Sequence, residues 1–177
     1  MAIKGNLGVI LVDMQEDYLD NLDIKDVDPL IESQRIVLQR CAGYNIPLIV
    51  LEYSGGYLGF DTSQPTIRCL DEAVNKIPRR RTLPKKRKNG FSNKELDWQL
   101  REWNVNNLFL MGIYASQCVY QTAKCGMDLG YRIYSSKDVV GDPDNTGENQ
   151  AELKIIYSQI GRWYTSYYEF FIGMGLK

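Results

Sequence analysis

The chain of 177 residues contains no histidine. That removes the commonest general base, so any proton acceptor at a catalytic site must be a carboxylate or an amine. Cysteine is sparse. Cys41, Cys69, Cys118 and Cys125 are widely separated and form no CxxC pair, which with the missing histidine speaks against a zinc site. No run approaches the roughly 18 apolar residues that a membrane span needs. The start, Met1 to Asn6, leads into a strand-like run and does not have the pattern of a signal peptide. The chain also has little net charge: −1 argues against general affinity for nucleic acid or membranes. No internal repeat, linker or low-complexity segment divides it, so residues 1–177 read as a single domain. These features predict free thiols in a reducing, cytoplasmic compartment.

What the chain does contain is an alternation of strand and helix signals. Leu7–Val12 (LGVILV) is a continuous apolar run, as expected of a strand covered on both faces. Pro29 to Tyr44 reads as a helix, Pro47–Leu51 as a second strand, and Ser54–Pro65 as a glycine-rich loop. Thr66 to Lys76 reads as a short helix, Arg80–Pro84 as a weaker strand, and Lys94–Trp103 as an amphipathic helix. Leu108–Ile113 is another buried strand. Ser116 serves as N-cap of a helix reaching Leu129, with Gly130 in the C′ position. Tyr131–Ser135 is a strand, Glu148–Ile160 a helix, and the aromatic stretch Tyr164–Phe171 a final strand. Strands alternating with helices predict an α/β fold: a three-layer α/β/α, Rossmann-like arrangement of about six mostly parallel strands with helices on both faces. The aromatic tail reads as core or subunit interface.

Three places could carry chemistry. Cys118 stands where an apolar strand runs out and a helix begins, and the positive helix end there favours a thiolate. In α/β sheets, sites gather at the carboxyl ends of strands. Asp13 directly follows the first strand and so shares that edge; alone, it would read as a solvated turn residue, and Glu16 and Asp17 offer alternative carboxylates nearby. Lys85 and Lys86 close the third strand candidate inside Arg79–Lys88, where seven of ten residues are basic. Such a run reads either as a solvated or anion-binding face or as the source of one lysine that favours the thiolate. Glu52 leaves the second strand at the same edge, either lining a pocket or simply solvated. Gly55–Gly59 is either a lid or a flexible connection. Cys41, Cys69 and Cys125 read as small buried hydrophobes.

In this order, the three blocks resemble the isochorismatase-like superfamily, in its cysteine-hydrolase branch. The first is Asp13-Met-Gln15-Glu-Asp17-Tyr18. The second is Lys85, six residues before Phe91, followed by Leu96-Asp97-Trp-Gln-Leu100. The third runs from Leu110-Met-Gly112-Ile113 through Cys118-Val119 and Thr122-Ala123 to Leu129-Gly130-Tyr131-Arg132-Ile133. The resemblance spans nearly the whole chain. It implies a triad of Asp13 as general base, Lys85 as electrostatic support and Cys118 as nucleophile. The implied oxyanion hole is formed by the backbone N–H groups of Tyr114 and Cys118. A cis peptide between Ile113 and Tyr114 is implied as well, and Gln15, Tyr18, Glu52 and Phe91 would contact substrate.

The implied activity is hydrolysis of a small amide or imide, a C–N bond other than a peptide bond, through a thioester and without an organic cofactor. The small-molecule substrate would be the main partner, in a homo-oligomer of two or more chains. Metal-dependent nicotinamidases of the family use one Asp and two His near the second strand; this chain reads Leu51-Glu-Tyr-Ser-Gly-Gly56 there, which implies no metal. Members that cleave the vinyl ether of isochorismate lack the cysteine. Two departures are Tyr114 and Ala115, where the family carries Thr or Ser, and a tyrosine there would narrow or redirect the pocket. The rival readings are a non-catalytic binding or structural protein on this fold, a nucleic-acid or anion-binding module built on Arg79–Lys88, and a vinyl-ether hydrolase.

Overall fold

The computed structural model describes residues 6–55 and 64–176. Strand β1 (Leu7–Val12) has every side chain buried, so its apolar run faces covering layers on both sides. A short helix α1 (Glu16–Leu19) follows, then the long α2 (Ile24–Tyr44). Helix α2 starts earlier than Pro29: the Asp23 side chain caps it by accepting from the Lys25 N–H at 3.2 Å. The sequence misled because proline favours the first helical position, whereas Pro29 sits inside the helix.

Strand β2 (Leu48–Tyr53), helix α3 (Arg68–Val74) and strand β3 (Arg80–Lys85) come next, then α4 (Lys94–Glu102), capped by the Asn93 side chain on the Glu95 N–H. Strand β4 (Asn107–Ile113), wholly buried like β1, leads through a π-helical turn at Ala115–Val119 into α5 (Tyr120–Asp128). Strand β5 (Arg132–Ser136), the two-residue β6 (Val140–Gly141), α6 (Gly147–Ile160), β7 (Arg162–Tyr164) and α7 (Tyr167–Gly173) complete the described fold.

The strands form one seven-stranded sheet in the order β3-β2-β1-β4-β5-β7, with β6 pairing to the end of β4. Every pairing is parallel. The fold is therefore the expected α/β/α arrangement, with one strand more than the sequence suggests, because the two-residue β6 is too short to show a periodic signal. The carboxyl ends of β1, β2, β3 and β4 lie side by side, and the residues following them form one edge.

The aromatic tail differs from expectation. Only Arg162–Tyr164 is strand; Tyr167–Gly173 is helix. Ser166 caps it by accepting from the Glu169 N–H at 3.3 Å, and Glu169 reaches back to the Thr165 N–H at 3.2 Å. This Ser-x-x-Glu pattern is a helix-start signal that aromatic content masked. As core, the tail behaves as expected: Phe170 and Phe171 are fully buried, and Phe170 stacks on Phe109 with ring centroids 4.4 Å apart.

Candidate active site

Asp13 leaves β1 with φ at +52°, a left-handed conformation that aspartate tolerates better than most residues. Its N–H is held by the Leu51 carbonyl at 2.9 Å. Next to it, Gly112 on β4 has φ at +131°, and a Cβ there would run into the Val12 carbonyl. Glycine is required at this point for β1 and β4 to close up, and this is what brings the chain after β4 beside Asp13.

Lys85 is the last residue of β3, paired in register with Tyr53. Its side chain is wholly buried and its ammonium lies 2.7 Å from Asp13 Oδ2. The ammonium also donates to the carbonyls of Arg87 at 3.1 Å and Lys88 at 3.4 Å, and it lies 4.9 Å from the centroid of the Tyr53 ring. Lys86 is exposed, so of the two candidate lysines Lys85 is the one that joins Asp13. The other carboxylate oxygen, Asp13 Oδ1, is buried and has no hydrogen-bond partner among the described residues.

Cys118 lies in the π-helical turn, not behind a Ser116 cap. Tyr114 occupies the N-cap position and no side chain caps the turn. The Ser116 N–H is instead bound by Asp142 at 2.7 Å, and the Ala115 carbonyl accepts from the buried Tyr157 hydroxyl at 2.7 Å. The N–H groups of Gln117 and Val119 both turn back to the Tyr114 carbonyl. The peptide between Ile113 and Tyr114 is cis, as the resemblance implies. Thr122 ties the turn to the loop after β3: its hydroxyl donates to the Cys118 carbonyl at 2.7 Å and accepts from the Gly90 N–H at 2.9 Å.

The electrostatics differ from the helix-end expectation. Burial first, and the charge of Asp13 second, push the Cys118 thiol up to about 11, with Lys85 pulling the other way. Burial likewise raises Asp13, against the opposing pull of Lys85. The resting cysteine is therefore a neutral thiol beside a carboxylate of raised basicity. Such a pair needs proton transfer to become nucleophilic.

A pocket of about 400 Å³ opens over these groups, lined by Asp13, Tyr18, Tyr53, Tyr114, Gln117 and Cys118, among others. Tyr114 forms part of its wall. Its hydroxyl donates to the Tyr18 carbonyl at 2.8 Å and accepts from the Asn21 side chain at 3.0 Å, which fastens the α1 region over the site.

Of the four expected substrate contacts, Tyr18 lines the pocket and the other three do not. Gln15 is fully buried, and its amide clamps the backbone of Tyr53: it accepts from the N–H at 2.8 Å and donates to the carbonyl at 3.1 Å. Glu52 accepts from both the N–H and the hydroxyl of Thr66, at 2.8 and 2.9 Å. Phe91 stacks on Tyr131 with centroids 5.8 Å apart, against Gly126 of α5. Each satisfies a structural need, which a linear motif cannot separate from ligand contact. Tyr53, Asp17, Lys88 and Gln117 are pocket residues that the sequence reading did not assign as contacts. For Tyr53, the signal was its place at the carboxyl end of the second strand.

The Gly55–Gly59 loop lies, beyond Gly55, outside the described residues. Cys41 is buried as expected, but Cys69 is exposed and Cys125 half-buried. Among the described residues, no three Asp, Glu or Cys side chains gather as metal ligands, and no helix is long and apolar enough to cross a membrane.

A family model of the isochorismatase domain matches residues 8–166. The chain belongs to the isochorismatase family. It is 24% identical over 156 residues to a secreted isochorismatase effector of Verticillium dahliae, covering 86% of this chain and 82% of that protein. It is also 24% identical over 138 residues to a streptothricin hydrolase of Streptomyces noursei, covering 77% of this chain and 55% of that enzyme's length. The solved nicotinamidase of Staphylococcus aureus has the same fold, with a TM-score of 0.73 at 20% identity, covering 90% of this chain and 98% of that one.

Proposed function

We propose that this isochorismatase-family protein is a cysteine-dependent hydrolase of a small amide or imide. The observation that carries the reading is the gathering, at the carboxyl edge of a parallel sheet, of a half-buried thiol with a buried carboxylate–ammonium pair, the thiol and carboxylate lining a pocket of about 400 Å³. Relatives named as a streptothricin hydrolase and a nicotinamidase agree with C–N hydrolysis.

In the proposed reaction, Asp13 Oδ1 takes the thiol proton as Cys118 Sγ attacks the substrate carbonyl carbon. The tetrahedral oxyanion is held by the backbone N–H groups of Tyr114 and Cys118. The C–N bond then breaks, the proton on Asp13 passes to the leaving nitrogen, and a thioester to Cys118 remains. Water attacks the thioester, giving a proton to Asp13; the C–S bond breaks, Asp13 returns that proton to the Cys118 sulfur, and the carboxylic acid leaves. Lys85 keeps Asp13 ionised between these transfers, since an ammonium at 2.7 Å opposes protonation.

The test is mass spectrometry of the intact protein during turnover of an amide and imide panel. The reading requires an acyl adduct on the Cys118 peptide, and loss of roughly 10³-fold or more of the rate in Cys118→Ala. A protein that releases no product and forms no adduct is a binding member of the family. One that cleaves isochorismate and survives Cys118→Ala is the vinyl-ether hydrolase that the name of the Verticillium relative suggests. We place the functional unit as a dimer or larger in the cytoplasm, to be checked by light scattering and fractionation.

A further inference from the structure

Two charges at the pocket have no partner among the described residues. Asp17, on α1 after β1, and Lys88, in the loop after β3, both line the cavity that holds Cys118. Both are exposed, and among the described residues neither the Asp17 carboxylate nor the Lys88 ammonium has an ion pair or hydrogen bond. The other charges at the site are spoken for: Asp13 and Lys85 neutralise each other. The strand order separates the two free charges. Strands β1 and β3 flank β2, so their ends lie two inter-strand spacings apart, about 10 Å. Between them the wall is largely aromatic, with Tyr18 and Tyr53 in edge-to-face contact at 6.0 Å. Each charge also belongs to a run of its own sign: Glu16 and Asp20 accompany Asp17, while Lys86 and Arg87 accompany Lys88, and all four are exposed. The mouth of the pocket is therefore bipolar, negative on the β1 side and positive on the β3 side.

We propose that the substrate is a zwitterionic, amino-acid-like amide, its ammonium facing Asp17 and its carboxylate facing Lys88 at the pocket mouth, with the scissile carbonyl at the other end of the molecule reaching Cys118. This rests on the hydrolase reading and narrows its substrate class. An uncharged amide leaves both charges unanswered, and an amide with one charge answers only one. The same bipolar field orients a zwitterion on approach, an effect that salt weakens.

Four primary amides of similar length test this at low ionic strength: butanamide, 4-aminobutanamide, glutaramic acid and glutamine. They carry no charge, an ammonium, a carboxylate, and both. The expected kcat/KM is highest for glutamine, by about three- to tenfold per matched charge, with the ratio shrinking as NaCl is added. Lys88→Ala lowers the ratio of carboxylate-bearing to uncharged amides, and Asp17→Asn lowers the ratio of ammonium-bearing to uncharged amides. Equal kcat/KM for the four amides, or ratios that neither substitution moves, overturns the proposal while leaving the hydrolase reading intact. If the wild type turns over none of them, the hydrolase reading loses support, and calorimetric binding of the same four compounds decides the inference separately: charge-selective affinity sensitive to both substitutions supports it, and its absence overturns it.

Discussion

The Lys85 ammonium sits 2.7 Å from Asp13 Oδ2, with the two side chains 0% and 5% exposed, so the cation and anion neutralise one another almost out of reach of water. A buried pair of this kind is tolerated only while both members are present. Removing one strands the other in a medium that disfavours charge. Lys85→Met is therefore expected to cost about 3–5 kcal/mol of stability and to abolish turnover, measured by urea denaturation and amide hydrolysis. Lys86→Met, at an exposed neighbour, is expected to change stability by less than about 0.5 kcal/mol. Combining Lys85→Met with Asp13→Asn restores part of the lost stability without restoring activity.

The pH dependence follows from Asp13. Burial raises its pKa above the ordinary 3.8, and the proposed base can act only when ionised. Hydrolysis is expected to be full above that raised pKa and to fall as pH drops through it, so the acid limb lies higher than for an ordinary aspartate. In Asp13→Asn this limb disappears and the rate falls by roughly 10²–10⁴-fold. A kcat/KM profile from pH 4 to 9 checks both.

Alkylation of the free protein should run against the usual expectation for a nucleophilic cysteine. With its thiol pushed up to about 11, Cys118 is only about a thousandth thiolate at pH 8. Exposed Cys69 is expected to react with iodoacetamide first, and the Cys118 rate to climb about tenfold per pH unit until near 11. Peptide mass spectrometry resolves the two. Rapid labelling of Cys118 at neutral pH would show that the thiolate is already formed in the resting protein.

Gln15 and Phe91 are expected to behave as structural residues. Gln15→Leu removes both hydrogen bonds to the half-buried Tyr53 backbone and costs about 1–3 kcal/mol. Phe91→Ala removes a half-buried ring stacked on Tyr131 and costs about 1–2 kcal/mol. Thermal unfolding measures both, and for Phe91→Ala the KM for amides is expected to stay within about twofold.

Much of this was legible in one dimension. Continuous apolar runs such as Leu7–Val12 and Leu108–Ile113 can be stable only where both sheet faces are covered, so a parallel α/β fold follows from local hydrophobicity. The same logic puts Asp13, Lys85 and Cys118 at strand ends on one edge. Periodicity is blind to what happens across the edge. Lys85 and Lys86 have the same local composition, and only the β2–β3 register turns one inward to Asp13 and leaves the other in solvent. Gln15 and Glu52 have the chemistry of ligand contacts, and only the chain folded around them consumes their hydrogen bonds. The thiol at Cys118 sits where a helix end would lower its pKa, yet desolvation and the nearby carboxylate raise it. Local propensity and hydrophobic burial act over a few residues and are written in the sequence; desolvation, register and charge pairing depend on groups tens of residues apart, and only the tertiary structure decides them.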